Sequence, residues 1–322
     1  MIPIANRFRD ALPQALLIRG QAGIGKMRLA MHLAHRQLCE TDNRNLAPCG
    51  DCPACHLNEA GNHPDLRVLE PRQADLAGEE GLVKGKRGGD QIPVDAIRGL
   101  AGLVSVTPHR SRAKVIVIAP AEAMHPSAAN ALLKMLEEPS ARTHFILVSS
   151  QPHRVPRTIL SRCFQAPIAV PERSAVDGWL GEQSRERSSL ALSMSGYAPL
   201  GVPVLSEDSG FWASRQSILD GLTVQAPDPL RLAEQAEALD PRVLATLLWM
   251  WTFDLALAQT GKEPRYHLDY ARSLPAYAER IVPPALYLWQ DKVLQYARAA
   301  HHPLNKRLAL EALFCAYPSV AV

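Results

Sequence analysis

The sequence predicts an α/β domain built on a parallel sheet, followed by a small helical unit and an all-α domain. In the first half of the chain, short aliphatic runs alternate with helical segments. These runs lack the polar and apolar alternation of a half-exposed strand, so they are expected to be buried on both faces, as in a parallel sheet. Beyond residue 167 no strand-like run is evident, and residues 210–317 have the pattern of helices almost throughout.

Strands and helices can be assigned in order along the first half. The expected strands are residues 15–18, 66–69, 115–118 and 144–148. The expected helices are residues 26–38, 94–104 and 126–138. Pro126 suits the first turn of the third helix, and Pro139 ends it.

Proline, glycine and serine accumulate near residues 168 and 207, which predicts two domain boundaries. The expected domains are residues 1–168, 169–207 and 208–322. In the last of these, four tryptophans lie on apolar stripes and are expected in the core: Trp212, Trp249, Trp251 and Trp289. A loop rich in glycine and charge is expected at residues 75–90, where basic residues are candidates for contact with phosphate.

The composition excludes several classes of protein. Of the 322 residues, 47% are hydrophobic and 21% charged, as in ordinary soluble proteins. No run of 18 apolar residues occurs, so no membrane span is expected. The N-terminus lacks the apolar core of a secretory signal, so we expect a cytoplasmic protein. The net charge of +3 is too small to indicate nucleic-acid binding by itself.

A glycine-rich segment after the first expected strand has the spacing of a phosphate-binding loop. Gly20, Gly25 and Lys26 satisfy the pattern G-x4-G-K, Gly23 lies between them, and a helix follows. In such a loop, backbone N–H groups and the lysine contact phosphate. The motif requires Ser or Thr next, because that hydroxyl ligates Mg²⁺, and this chain has Met27 instead.

The acidic pair that a hydrolysing enzyme needs after its third strand is also missing. Ala119 and Pro120 occupy that place, and neither can hold a metal or accept a proton. Glu122 is a candidate substitute only if the end of the strand shifts. The two losses together argue against ATP hydrolysis. Two alternatives stay open: the loop binds ATP weakly, or it is an empty structural turn.

Four cysteines form the second candidate site. They have the spacing C-x9-C-x2-C-x2-C and comprise Cys39, Cys49, Cys52 and Cys55. Without a secretory signal, this spacing favours thiolate ligation of a structural Zn²⁺ over disulfides. The alternatives are a ligand role for His56 or His63, four unligated thiols, or a zinc finger that binds nucleic acid.

With these features the chain resembles the delta-prime subunits of bacterial DNA polymerase III clamp loaders, in the AAA+ superfamily. Besides the loop and the cysteines, the resemblance rests on four motifs and covers about half of the chain: residues 61–65 (GNHPD), 92–98 (IPVDAIR), 130–139 (NALLKMLEEP) and 158–163 (TILSRC). It implies a RecA-like AAA+ domain, a helical lid and a helical collar domain that joins delta and gamma or tau subunits in a pentameric ring. That ring opens the sliding β clamp and places it on primed DNA at the replisome.

The resemblance also implies a role for one arginine. Ser161, Arg162 and Cys163 match the family's arginine-finger motif, so Arg162 would reach the ATP site of a neighbouring subunit. Ser149 and Ser150 match the first nucleotide sensor, whereas the second sensor's arginine is missing from residues 196–202. The chain would then be a non-hydrolysing stator within a DNA-directed DNA polymerase holoenzyme.

Two alternative functions stay open. One is an active clamp-loader ATPase of the gamma or tau type, which shares the cysteines and the Ser-Arg-Cys motif but is disfavoured by Met27 and by Ala119–Pro120. The other is a zinc-dependent DNA-binding module, which is disfavoured by the diffuse positive charge. Nothing in the chain itself could catalyse nucleotide addition.

Overall fold

The computed structural model describes residues 8, 11–41, 47–71, 91–110, 113–172, 175–176, 185–201, 209–299 and 305–317. Contacts divide the chain into two compact units, Met1–Pro171 and Glu172–Val322. The expected loop at residues 75–90 and the expected boundary near residue 207 lie outside the described residues. No described helix is long and apolar enough to cross a membrane.

The first unit is built on a five-stranded parallel sheet with the order β2-β3-β4-β1-β5. Its strands are β1 (Ala15–Arg19), β2 (Leu66–Leu69), β3 (Lys114–Ile118), β4 (Thr143–Ser149) and β5 (Phe164–Pro167). The four expected strands are present, each within one residue of its expected ends. The sequence did not predict β5, which is an edge strand with three of its four residues exposed and a proline at its end.

Helices cover both faces of this sheet. They are α1 (Lys26–Leu38), α2 (Pro53–Glu59), α3 (Val94–Ser105), α4 (Pro126–Glu137) and α5 (Arg157–Leu160). Side chains alternate between the faces, so that Ile116 and Ile118 of β3 pack with α3 and α4, whereas Val115 and Val117 pack with α1. Every residue of β3 is buried, as predicted for a strand covered on both sides.

The second unit contains helices and no strand in its described residues. Its helices are α6 (Arg185–Met194), α7 (Ser209–Thr223), α8 (Pro229–Ala236), α9 (Pro241–Gln259), α10 (Leu274–Ala278), α11 (Pro283–Ala299) and α12 (Lys306–Cys315). Trp251 and Trp289 are fully buried in its core, and Trp212 and Trp249 pack partly buried against it. The predicted class, a parallel α/β domain followed by helices, is confirmed.

Candidate functional site

The phosphate-loop region lies where the carboxyl ends of three adjacent strands meet. Since β3, β4 and β1 are neighbours in a parallel sheet, the residues that follow them share one edge. The N–H of Gly20, after β1, donates to the carbonyl oxygen of Ser149, at the end of β4, over 3.2 Å. The sheet thereby brings together the loop, the Ala119–Pro120 pair and Ser149, which are far apart in sequence.

The glycines of this loop have backbone angles or close contacts that a residue with a Cβ atom would not tolerate. Gly25 immediately precedes α1 with a φ of 90°, in the left-handed region. A Cβ at Gly20 would lie 2.5 Å from the carbonyl oxygen of Ile168. Gly23 also has a positive φ, of 74°. The backbone therefore has the tight turn that the G-x4-G-K spacing predicts.

Lys26 points into this turn and is bound by the loop's own backbone. The residue is only 5% exposed, and its Nζ donates to the carbonyl oxygen of Gln21 over 2.5 Å. Burial lowers the pKa of Lys26, and the nearby Glu122 carboxylate acts in the opposite direction. The ammonium group is thus partly compensated from within the chain.

The side chains at the positions where a hydrolysing enzyme would bind Mg²⁺ are apolar or already hydrogen-bonded within the chain. Met27 packs against the core cluster between α1 and the sheet, and Ala119 is buried. Oε1 of Glu122 accepts the N–H groups of Ser150 and Gln151, at 3.0 and 3.1 Å. The carboxylate that sequence reasoning weighed as a substitute is therefore held by the loop that follows β4.

The four cysteines come together beside α1 and α2. Cys39 follows α1, Cys52 precedes α2, and Cys55 lies within α2. The Sγ atom of Cys39 lies 3.5 Å from that of Cys49 and 3.9 Å from that of Cys52, and the Sγ atoms of Cys49 and Cys55 are 3.8 Å apart. All four Sγ atoms lie within 4.8 Å of one another.

This spacing fits a tetrahedral metal ion. Four thiolates at about 2.3 Å from a central Zn²⁺ would be about 3.8 Å apart from one another. In the described residues the group consists of cysteines alone, and neither His56 nor His63 belongs to it. The Nδ1 atom of His63 instead accepts the N–H of Asp65. The cluster could therefore hold a metal ion in a closed, all-sulfur site.

The electrostatic environment differs between the four thiols. A hydrogen bond from the Thr41 hydroxyl, helped by backbone N–H groups, lowers the pKa of Cys49 to about 6. Burial raises the pKa of Cys55 to about 12. A bound cation would favour the thiolate form at both positions.

The Ser161–Arg162 segment lies on the surface between two buried anchors. Ile159, in α5, and Cys163 are both buried in the core cluster on the α4 face of the sheet. Burial raises the pKa of Cys163 to about 11, so this thiol is a packing residue rather than a nucleophile. Ser161 and Arg162 are exposed between these anchors.

Three contacts orient the guanidinium of Arg162. Its Nη1 donates to the carbonyl oxygen of Thr158 over 3.0 Å and lies 3.4 Å from Oγ of Ser161. Its Nη2 lies 2.6 Å from Oε1 of Glu137, the last residue of α4. The side chain of Arg162 is 36% exposed and that of Glu137 48% exposed. The sequence motif identified Arg162, but nothing in the sequence linked Glu137 to it, because Glu137 lies 25 positions earlier, at the end of α4, and no pattern relates the two positions.

A comparison with protein families matches residues 5–172 to the family described as "DNA polymerase III, delta subunit". The match covers the whole sheet, the four cysteines, the phosphate loop and Arg162. It is the part of the chain that carries both candidate sites.

Curated proteins of known sequence give related matches. DNA polymerase III subunit delta' of Pseudomonas aeruginosa is 34% identical, over 95% of this chain and 92% of that protein. The subunit of the same name from Yersinia pestis is 32% identical over 73% of this chain and 70% of that protein. DNA polymerase III subunit tau of Salmonella typhimurium is 34% identical, but over only 47% of this chain and 21% of that protein.

Proposed function

The chain belongs to the delta-prime family of DNA polymerase III subunits, and on that premise we propose that it is the non-hydrolysing stator of a clamp loader, which supplies Arg162 to a neighbouring ATP site. The observation that carries the proposal is the contrast between two cations. Lys26 is buried and bound by its own loop, whereas Arg162 is exposed with its guanidinium already oriented.

The chemistry of Arg162 suits action in trans. A guanidinium stays charged at any physiological pH and presents several N–H donors in one plane. Charge that develops on a transferred γ-phosphate is stabilised by such a group. Arg162 lies at the surface, so a phosphate bound by a neighbouring subunit can approach it.

The same region gives reasons why this chain would not hydrolyse ATP itself. Met27 offers no hard oxygen to Mg²⁺, and Ala119–Pro120 supplies no acid. Glu122 already accepts two backbone N–H groups, and Lys26 is bound by Gln21. We propose that Gly20, Gly23, Gly25 and Lys26 form a structural turn that binds ATP weakly or not at all.

We further propose that Cys39, Cys49, Cys52 and Cys55 hold a structural Zn²⁺. The support is the sulfur spacing, which matches tetrahedral coordination, and the purely thiol donor set. A closed four-thiolate site leaves no position for water or substrate, so the ion would stabilise the segment between α1 and α2 without taking part in a reaction.

The proposed partners follow from the family. The chain would join delta and gamma or tau subunits in a pentameric ring that places a sliding β clamp on primed DNA. Residues 1–168 would form the AAA+ domain, residues 169–207 the lid, and residues 208–322 the collar that assembles the ring. The match to a tau subunit keeps a second candidate, an active gamma or tau-type ATPase, which Met27 and Ala119–Pro120 disfavour.

The test is reconstitution with delta and gamma or tau subunits. Phosphate-loop lysines are substituted in every ATPase subunit except the one next to this chain, so that turnover reports one site. We expect Arg162→Ala to lower that turnover about a thousandfold, since an arginine finger contributes this much to catalysis. Arg157→Ala, at an exposed arginine at the start of α5, is the matched control and should change little.

Two results would contradict the proposal. One is unchanged turnover in the Arg162→Ala complex. The other is robust ATP hydrolysis by the isolated chain, stimulated by primed DNA, which would favour the gamma or tau-type alternative.

A further inference from the structure

We propose that Glu137 is a positioning residue for Arg162, and that the pair holds the guanidinium ready for the phosphate of the neighbouring subunit. This inference rests on the proposed function, because it concerns how an arginine acting in trans is kept in place. Glu137 does not touch the phosphate and acts only through Arg162.

The first support is the direct contact between the two side chains. Oε1 of Glu137 lies 2.6 Å from Nη2 of Arg162, as close as in the shortest charge-assisted hydrogen bonds. The guanidinium is held at two nitrogens: Thr158 and Ser161 contact Nη1, and Glu137 contacts Nη2. An arginine side chain held at one nitrogen alone could rotate about that contact.

The second support is the place of Glu137 in its helix. It is the last residue of α4, where the partial negative charge of the helix end disfavours a carboxylate. Arg162 compensates for both charges. The cation is therefore drawn to this end of α4 by the helix as well as by the side chain.

The third support is that the contacts leave donors available. In the described residues, Arg162 uses Nη1 for two acceptors and Nη2 for one. Since a guanidinium carries five N–H groups, a donor at Nε and a second at Nη2 remain for a phosphate. Glu137 can therefore keep its contact while Arg162 binds the incoming anion.

Restraining a long side chain before it acts has a direct effect on rate. A free arginine loses rotamer entropy when it binds a phosphate, and an arginine already ordered loses less. The gain appears in the step in which the phosphate develops charge, because orientation of the donor matters most there. Loss of Glu137 should therefore lower kcat at the neighbouring site and leave the KM for ATP nearly unchanged.

The experiment uses the reconstituted complex with a single active ATP site. We expect Glu137→Ala to lower kcat about two- to fivefold, the range that a partly exposed ion pair supports. Glu137→Gln keeps a neutral acceptor oxygen and should restore part of the loss. Glu138→Ala is the matched control: it removes the adjacent exposed carboxylate, which makes no ion pair among the described residues, and should leave kcat within about 1.5-fold, as for an unpaired surface charge.

Double substitution separates positioning from a merely structural role. If Glu137 acts through Arg162, Glu137→Ala should have no further effect in a chain that already carries Arg162→Ala. A further fall in kcat there would overturn the inference, as would a Glu137→Ala variant that matches the Glu138→Ala control or exceeds the wild-type rate.

These outcomes are distinct from failure of the proposed function. If Arg162→Ala lowers turnover and Glu137→Ala does not, Arg162 acts without Glu137. If Arg162→Ala itself has no effect, the proposed function fails and the positioning role fails with it. The melting temperature of each variant is measured in parallel. If Glu137→Ala has a lower melting temperature than the wild type, the isosteric Glu137→Gln variant is used in its place, and its kcat should be lower than that of the wild type.

Discussion

Lys26 and Arg162 are both cations in one α/β unit, yet their surroundings are opposite. Lys26 is buried at the carboxyl edge of the sheet, where a backbone carbonyl binds its ammonium group. Arg162 lies on the surface between two buried residues, Ile159 and Cys163, and the Glu137 carboxylate at the end of α4 orients it. The fold thus directs the first charge inward and the second outward.

Under the proposed function, this difference would explain how a phosphate-binding fold loses ATP hydrolysis and keeps an arginine that acts on a neighbouring subunit. An internal carbonyl near Lys26 competes with any phosphate for the same donor, Met27 offers no hydroxyl to Mg²⁺, and the nearby Glu122 carboxylate already accepts two backbone N–H groups. The contacts of Arg162 leave N–H groups available at the surface. The two sites can therefore differ in function although they share a sheet.

The largest effect on the comparison between Lys26 and Arg162 is expected from Arg162→Lys. Lysine keeps the charge but lacks the planar set of donors that can bind Glu137 and a phosphate together. We expect turnover at the neighbouring site to fall at least about tenfold, as for loss of a principal donor to the transition state. The measurement is single-site turnover in the reconstituted complex. A fully active lysine variant would mean that charge alone is required and that orientation is not.

A smaller effect on turnover is expected from substitutions at the four cysteines. These residues should stabilise the fold, and in the described part of the chain they contact neither Lys26 nor Arg162 directly. Cys49→Ser should abolish stoichiometric zinc and lower the melting temperature by roughly 5 to 10 °C. Metal analysis and thermal unfolding check this result. Cys315→Ser, at an exposed free cysteine in the helical unit, is the control and should change neither property. Unchanged stability after loss of the metal would argue against a structural role.

The smallest effect is expected at Lys26. Burial lowers its pKa, so the folded chain disfavours the ammonium form, and methionine has an unbranched apolar side chain that should fit in its place. We expect Lys26→Met to leave turnover in the complex within about twofold and the melting temperature within about 2 °C of the wild type. A tenfold loss of turnover would show that the loop takes part in the reaction, and the contrast with Arg162 would fail.

Much of the fold could be predicted from the sequence. The helix at residues 26–38 and the strand at residues 66–69 have the predicted bounds, because each is an uninterrupted periodic or aliphatic segment. In the first unit the prediction missed α2, α5 and β5. The helices α2 and α5 have only seven and four residues, and β5 is an exposed edge strand. None of the three is long enough and apolar enough to give a periodic signal.

The chemistry that each site has available can be read from the amino-acid sequence. The spacing of glycines, the absence of a hydroxyl at Met27 and the four cysteines are local features, so they can be read from neighbouring residues. What each charge contacts, in contrast, depends on how the chain folds. Gln21 binds Lys26 because the loop turns back on itself, and Glu137 meets Arg162 because α4 and α5 pack together. Such contacts depend on strand order and helix packing, which join residues without any periodic relation in the chain.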